Sequence, residues 1–383
     1  MTPSIPKKLF LLDAMALIYR AYFAFSKNPR YNSKGMNTSA VLGFTNTLFE
    51  VLSKEKPTHI AVAFDTEAPT SRHTDFVDYK AHRDAIPEDL AISIPYIKRL
   101  IEGFNIPVVL ADGYEADDII GTLAKQAEKE GFVTYMMTPD KDFGQLVSEN
   151  IFIYKPARMG NGVEIMGVQE VLNKFEIKHV DQVRDLLGLW GDSSDNIPGI
   201  PGVGEKTAKI LISQYGSVEG IIENVNQIQG KLKEKVELHK DQAMLSKKLA
   251  TIICDVPLNV QIEELELGAP NKEVLKELFA EMEFRALSKR ILGENETVAF
   301  EQPAFAMSGA PDLFTPKTYT APIPTLFDDL PEEHNFKTIK TVDHQYFLVD
   351  TFEKRQDLIG RLEKSSSFCF DTETTGIDPN HAD

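Results

Sequence analysis

The chain has 383 residues, 42% of them hydrophobic, and a formal net charge of −17. The length suggests two or three domains, and the apolar fraction is enough to bury a core. No run of about 18 apolar residues marks a membrane span, the N-terminal stretch MTPSIPKKLFLLDAMALIYR has an aspartate inside its only apolar run and no small-residue cleavage site, and Cys254 and Cys369 stand too far apart for a disulfide framework or a metal knuckle. A cytoplasmic protein is expected.

Along residues 1–150, KKLFLLD (7–13), THIAVAFD (58–65), NIPVVLAD (105–112) and FVTYMMTPD (132–140) read as buried strands, each short, apolar and bounded by turn or charged residues. Between them, SAVLGFTNTLFEVLSKE and EADDIIGTLAKQAEKEG have helical spacing, with Gly131 as the stop of the second. This alternation predicts an α/β fold with a parallel sheet. Near the first strand, IYRAYFAF offers Arg20 and Tyr22 either to a substrate or to packing, and core packing is expected for Phe23. Between the second and third strands, SRHTDFVDYKAHRDAIPEDL (71–90) interleaves Arg72, Lys80 and Arg83 with Phe76 and Tyr79 and has no clear apolar face. It reads as a solvated loop or as a segment arching over a substrate, with cations for phosphate and aromatics for exposed bases.

Each strand ends in aspartate or leads straight to acids. Asp13 and Asp65 close two strands, Glu115, Asp117 and Asp118 open the helix after the third, and Asp140 and Asp142 follow the fourth. Carboxyl ends of strands in an open α/β sheet share one edge, so these seven acids are expected in one crevice. Any single Asp after a strand is commonly a turn former or helix cap. Capping needs one short polar residue, however, and not pairs or triplets at consecutive strand ends. Oxygen-only ligands point to hard cations, Mg²⁺ or Mn²⁺.

The region from about 185 to 290 is mostly helical. Its stretch GDSSDNIPGIPGVGEKT (191–207) sets Asp192 and Asp195 beside Gly199, Gly202, Gly204, Lys206 and Thr207, with Lys209 just beyond. A P-loop would need Lys directly after Gly204 and a preceding strand; Glu205 intervenes and no strand precedes it, so an ATP-binding loop is rejected. The remaining readings are an ordinary Gly/Pro loop, or a hairpin between the helices DQVRDLLGLWGD and EKTAKILISQYG whose N–H groups meet a backbone phosphate. The negative charge does not exclude such a polyanion. Residues 294–383 hold 17 acids and 7 bases, leaving 41 acids and 34 bases in residues 1–293; with nine acids neutralised by cations, that part carries about +2.

LFLLDAMALIYRAYFAF, VAFD, SRHTDFVDYKAHR, GYEADDIIGTLA, TPDKD and GDSSDNIPGIPGVGEKTA resemble, in order over about 290 residues, the motifs of the 5′-nuclease (flap endonuclease) domain of bacterial DNA polymerase I. The resemblance implies a PIN-like α/β fold over 1–180 with a helical arch, then a helix-three-turn-helix DNA-binding subdomain over 181–290 that also accepts K⁺. It maps metal carboxylates to Asp13, Asp65, Glu115, Asp117, Asp118, Asp140, Asp142, Asp192 and Asp195, with no acidic position missing. Lys80 and Arg83, with Arg72 nearby, match the arch cations that stabilise charge at the scissile phosphate. Arg20, Tyr22, Gly199, Gly202, Gly204, Lys206, Thr207 and Lys209 are the expected DNA contacts. The implied activity is 5′–3′ exonuclease and flap endonuclease cleavage with two or more Mg²⁺ ions, acting on 5′ flaps, nicks or 5′ ends at duplex junctions and leaving 5′-phosphates, by a monomer serving replication and repair at the nucleoid. A catalytically inactive junction-binding module and a phosphatase for small phosphoesters are the alternatives.

Residues 291–340 are acidic and proline-rich and read as a linker. Its patches APDLF and PTLFDDL, with Phe314 and Phe327, resemble peptides that engage a sliding clamp. In 341–383, FCFDTETTGID resembles the first motif of the DEDD 3′–5′ exonucleases, with Asp371 and Glu373 on one face of a strand. The further carboxylates of that family lie beyond Asp383, so neither proofreading nor polymerisation is expected of these residues.

Overall fold

The computed structural model describes residues 7–66, 68–156, 162–293, 349 and 351–364. The clamp-like patches with Phe314 and Phe327 and the pair Asp371 and Glu373 lie outside the described residues. The chain divides into two compact units, Met1–Phe300 and Glu301–Asp383.

In the first unit, β1 (Lys8–Asp13), α1 (Ala14–Ala24), α2 (Ser39–Glu50), β2 (His59–Ala63), α3 (Ser71–Asp75), α4 (Glu88–Gly103), β3 (Val108–Val109), α5 (Ala116–Lys129) and β4 (Val133–Met137) follow the expected alternation. They are followed by β5 (Ile151–Lys155), β6 (Glu164–Met166) and α6 (Val168–Phe175). The sheet order is β3-β2-β1-β4-β5-β6, with β1 to β5 parallel and β6 antiparallel to β5. The strands are apolar on both faces because both faces are covered. Leu9 and Leu11 of β1 belong to one apolar cluster with α5, and Phe10 and Leu12 to another with α1, α2 and α4. The expected third strand is cut to two residues. It lies at the sheet edge and pairs with β2 alone, and Pro107 before it supplies a carbonyl to Val62 but has no N–H.

The helices α7 (Gln182–Trp190), α8 (Glu205–Tyr215), α9 (Val218–Glu223) and α10 (Gly230–Ala250) follow, then α11 (Lys272–Met282) and α12 (Arg285–Leu292). One apolar cluster runs from the sheet face of Leu9 and Leu11 through Leu186, Leu211 and Val236, across the boundary expected at residue 180. Leu275, Leu278 and Phe279 of α11 return to the opposite face, among Phe44, Ile97 and Leu100. Arg99 of α4 reinforces that return with ion pairs to Glu281 at 2.8 Å and Glu277 at 3.2 Å. In the second unit the described residues form α13 (Phe352–Leu362), with Thr351 capping it through Lys354 N. Among the described residues no helix is long and apolar enough to cross a membrane.

Because α11 closes one face of the sheet, Phe279→Ala should cost about 3–5 kcal/mol in urea unfolding, although residue 279 is far in sequence from every strand. A loss below about 1 kcal/mol would show that α11 is an appendage and not part of this core.

Candidate metal centre and nucleic-acid interface

The strand order reverses direction between β1 and β4, the place where an open α/β sheet leaves a crevice at its carboxyl edge. Asp13 ends β1 there and caps α1, accepting from Ala16 N at 3.1 Å, while Thr138 just past β4 donates its hydroxyl to the other Asp13 oxygen at 2.9 Å. Asp65 accepts from Ala116 N at 2.9 Å, which anchors the start of α5 to the end of β2. Asp140 accepts from Asp142 N at 2.9 Å. One oxygen of Asp142 is buried without a hydrogen-bond partner.

The crowding shows in the proton affinities. Burial raises Asp13 to about 6, with Asp65 and Asp140 adding to the rise and the Ala16 and Thr138 hydrogen bonds opposing it. Burial, then repulsion from Asp13 and Asp140, pushes Asp117 well above the usual carboxylate range. Burial with Asp140, Asp192 and Asp195 does the same to Asp142, and Asp140 is raised chiefly by burial, with Asp195 and Asp192 adding to it. Asp192 goes the other way: burial raises it, but Lys141 at 2.6 Å and Ser194 N at 2.8 Å outweigh that effect. Mutual repulsion thus links Asp13, Asp65, Glu115, Asp117, Asp140, Asp142, Asp192 and Asp195 in one field. Among the described residues no three acid, histidine or cysteine side chains stand around one point as a metal ion requires. Cations hold several of the acids instead: Lys80 on Glu115 at 2.8 Å, Arg83 on Asp195 at 2.6 Å, and Lys141 on Asp192.

Asp118, expected in the same set, is elsewhere. It is 0% exposed and forms a bidentate pair with Arg72, both contacts at 2.7 Å. Its carboxylate is drawn toward α3 and the segment after α10, where Arg72 and Ile253 N donate to it. Arg72, expected to face a phosphate, is buried by the same pair and by the carbonyls of Leu249 and Thr251. The segment after α3 is likewise tucked in, not arched free. Tyr79 is 3% exposed and its hydroxyl lies 3.1 Å from Glu115 and 3.2 Å from Asp195, so it is not presented for base stacking; Phe76 packs on the core. Lys80 takes a left-handed backbone conformation, its N–H bonded to Asp195 O, and Asn196 bonds Asp78 O. Sequence reasoning missed Thr138, Lys141 and the acid-binding role of Tyr79. The Lys set between two acids in TPDKD was the available signal.

At the α1 end, Tyr22 bonds Asp89 at 2.9 Å and Arg20 bonds Pro156 O at 3.3 Å. Phe23, expected in the core, is 58% exposed because its position on α1 lies outside the buried stripe of Leu17, Ile18 and Ala21.

The glycine stretch is the connection between α7 and α8. Asp192 and Ile197 exchange both backbone hydrogen bonds, closing a tight loop that carries Asp195 at its outer end. Gly191 and Gly199 are left-handed and packed against each other; a Cβ on Gly199 would collide with Gly191 N and Trp190 C. Helix α10 grips the turn, Ser246 accepting from Gly199 N at 3.0 Å and Gln242 donating to Gly199 O at 2.7 Å. Gly204 caps α8, and Lys206 is exposed in its first turn with Thr207 half-buried beside it. Gly202 O faces Lys235 at 3.4 Å, and Lys209 is held by Glu205 at 2.8 Å and Glu176 at 3.0 Å.

Residues 8–176 match the family model for the 5′-3′ exonuclease N-terminal resolvase-like domain, and residues 178–273 match that for its C-terminal SAM fold. DNA polymerase I of Bacillus subtilis is 44% identical over 294 residues, 76% of this chain and 33% of the relative. The chain therefore spans about a third of the length of the DNA polymerase I relatives it matches. A 5′-3′ exonuclease of Aquifex aeolicus is 37% identical over 285 residues, 74% of this chain and 95% of the relative. Among solved structures, the bacteriophage T5 flap endonuclease in a pseudo-enzyme-product complex with DNA and metal ions superposes with a TM-score of 0.53 at 17% identity, covering 75% of this chain and 98% of that one. That likeness shows the PIN-like nuclease fold. With the strand order, the acid crevice and the glycine turn in the same chain as these matches, the protein belongs to the 5′-3′ exonuclease family.

Proposed function

We propose that residues 1–293 form a divalent-metal-dependent nuclease that hydrolyses DNA at 5′ ends and at the base of 5′ flaps, as the N-terminal portion of a DNA polymerase I. The observation that carries this reading is the field of eight carboxylates at the β1–β4 switch point, with an unpartnered buried oxygen on Asp142. Acids crowded together in this way repel one another and an incoming phosphate until a hard cation neutralises them, and an all-oxygen donor set fits Mg²⁺ or Mn²⁺. Asp13, Asp65, Glu115, Asp117, Asp140, Asp142, Asp192 and Asp195 are the residues that would hold it. Bound there, such ions supply hydroxide near neutral pH and positive charge for the attacking and leaving oxygens of a phosphodiester.

The chain itself contributes position and charge. A phosphate entering the crevice would compete with Glu115 for Lys80 and with Asp195 for Arg83, moving both cations onto the substrate, where they stabilise charge gained in the transition state. The first turn of α8, with Gly204, Lys206 and Thr207, offers N–H groups and a cation to a backbone phosphate further along the duplex. The glycine turn is also where K⁺ binding, implied by the family resemblance, would fall. The T5 relative's complex with DNA and metal ions supports the same reading. A second reading, a junction-binding module without cleavage, is favoured by the acids being held by Lys80, Arg83 and Lys141 instead of converging on one point.

A 5′-flap duplex incubated with Mg²⁺ should be cut near its junction and left intact with EDTA; binding without cutting would establish the module instead. Asp140→Ala should lower cleavage about 1,000-fold or more, roughly 4 kcal/mol of transition-state stabilisation, with DNA affinity within a few-fold of the parent in a mobility-shift assay. The proton affinities give a further test. Asp13 titrates at about 6 in the folded protein against 3.8 for the free group, so in metal-free buffer its ionisation destabilises the fold progressively between about pH 4 and 6. Asn caps a helix as well as Asp and does not titrate. Asp13→Asn should therefore gain on the parent in urea unfolding with EDTA as pH rises from 4.5 to 7.5, by at most about 3 kcal/mol. A difference independent of pH would show that Asp13 is not strained.

A further inference from the structure

The pair Arg72–Asp118 uses every polar position it has. The Arg72 guanidinium gives Nε to Leu249 O at 2.9 Å, Nη1 to Asp118 Oδ2 and Nη2 to both Asp118 Oδ1 and Thr251 O at 2.9 Å. Its remaining N–H faces Glu115 Oε2 at 3.4 Å. On the other side, Asp118 Oδ1 also accepts from Ile253 N at 2.8 Å, and Oδ2 from Glu115 N at 3.1 Å. Each carboxylate oxygen therefore receives two donors, which fills the four lone-pair directions of the group. A cation has no lone pair left to take. Asp117, one residue earlier, is the opposite case: it is half-buried, and among the described residues none donates a hydrogen bond to its carboxylate.

The partners of the pair come from three places. Arg72 lies on α3, at the base of the segment carrying Lys80 and Arg83. Asp118 lies in the first turn of α5, which carries Glu115 and Asp117. Leu249, Thr251 and Ile253 lie at and just after the end of α10, the helix that grips Gly199 through Gln242 and Ser246. Only a planar fork with five donors can bond three segments at once in this way. We propose that Arg72 and Asp118 are a positioning pair, not a phosphate-binding cation and a metal ligand, and that they fix the acid crevice in register with the glycine turn that holds the duplex. The inference rests on the nuclease reading above.

The register is read directly by where the substrate is cut. Asp118→Asn keeps the size of the side chain and weakens the fork. It should bind the same number of Mn²⁺ ions as the parent in titration calorimetry, while kcat on a 5′-flap duplex falls about 10- to 100-fold, the scale of an ångström-sized misplacement. Its products should spread to neighbouring nucleotides instead of a single position. Asp117→Asn should lose a Mn²⁺ site and most cleavage, with the residual cut still at the parental position. Arg72→Lys, which keeps the charge without the fork, should show the same spread as Asp118→Asn, and the double variant no more than either single one. Loss of a Mn²⁺ site in Asp118→Asn, or parental rate and cut position in both pair variants, would overturn the proposal. Should the variants not fold, crystals of the parent grown with Mn²⁺ decide it. Anomalous density within about 2.5 Å of an Asp118 oxygen overturns the assignment, and density confined to the other acids with the Arg72 fork intact upholds it. If the parent itself does not cut the flap duplex with Mg²⁺, it is the nuclease reading that fails.

Discussion

Repulsion among carboxylates at one edge of the sheet is the constraint on which the rest of the structure depends. Eight acids share the crevice between β1 and β4, and burial together with mutual repulsion makes Asp13, Asp117, Asp140 and Asp142 costly to ionise. The surroundings respond with every available counter-charge. Lys80, Arg83 and Lys141 each close on a separate acid, Thr138 and backbone N–H groups take single oxygens, and α1 and α5 present their N-terminal ends.

The same charges tie distant segments together. Asp195 sits on the loop between α7 and α8, yet its carboxylate is held by Tyr79 and Arg83 and its carbonyl by Lys80 N. The segment expected to arch over a substrate is thus bonded along one side to the loop expected to hold the duplex. Helix α10 completes the connection, gripping the glycine turn through Gln242 and Ser246 in its fourth and fifth turns and meeting the Arg72–Asp118 pair at its end. The glycine turn and the crevice are linked by polar contacts that are specific in direction, and apolar packing beneath them supplies the stability. The apolar cluster crossing residue 180 makes the two matched family segments one folded unit.

Much of this was legible along the chain. Strand ends followed by acids located the crevice, and the misplaced Lys206 argued against a nucleotide cradle; the stretch lies between α7 and α8, with no strand before it. Three features were not legible. The direction of Asp118 follows from about a quarter of a helical turn relative to Asp117, and a run of adjacent acids does not say which one faces inward. Tyr79 and Arg72 sit in a segment without periodicity, where burial depends on what other segments bring to meet it. Phe23 has the composition of a core residue but lies on the uncovered side of α1.

The sequence by itself determined the residue types and their order: short apolar strands closed by acids, a glycine turn between two helices, and enough cations nearby to balance some of the acids. Those are local properties, set by side-chain chemistry and spacing. Tertiary structure alone decided which acids meet and which are withdrawn. Strand order places β4 beside β1, α10 carries two carbonyls to Arg72, and the resulting fork takes Asp118 out of the crevice. Hydrogen bonds between segments up to 179 residues apart fix that choice, and nothing within a single segment encodes it.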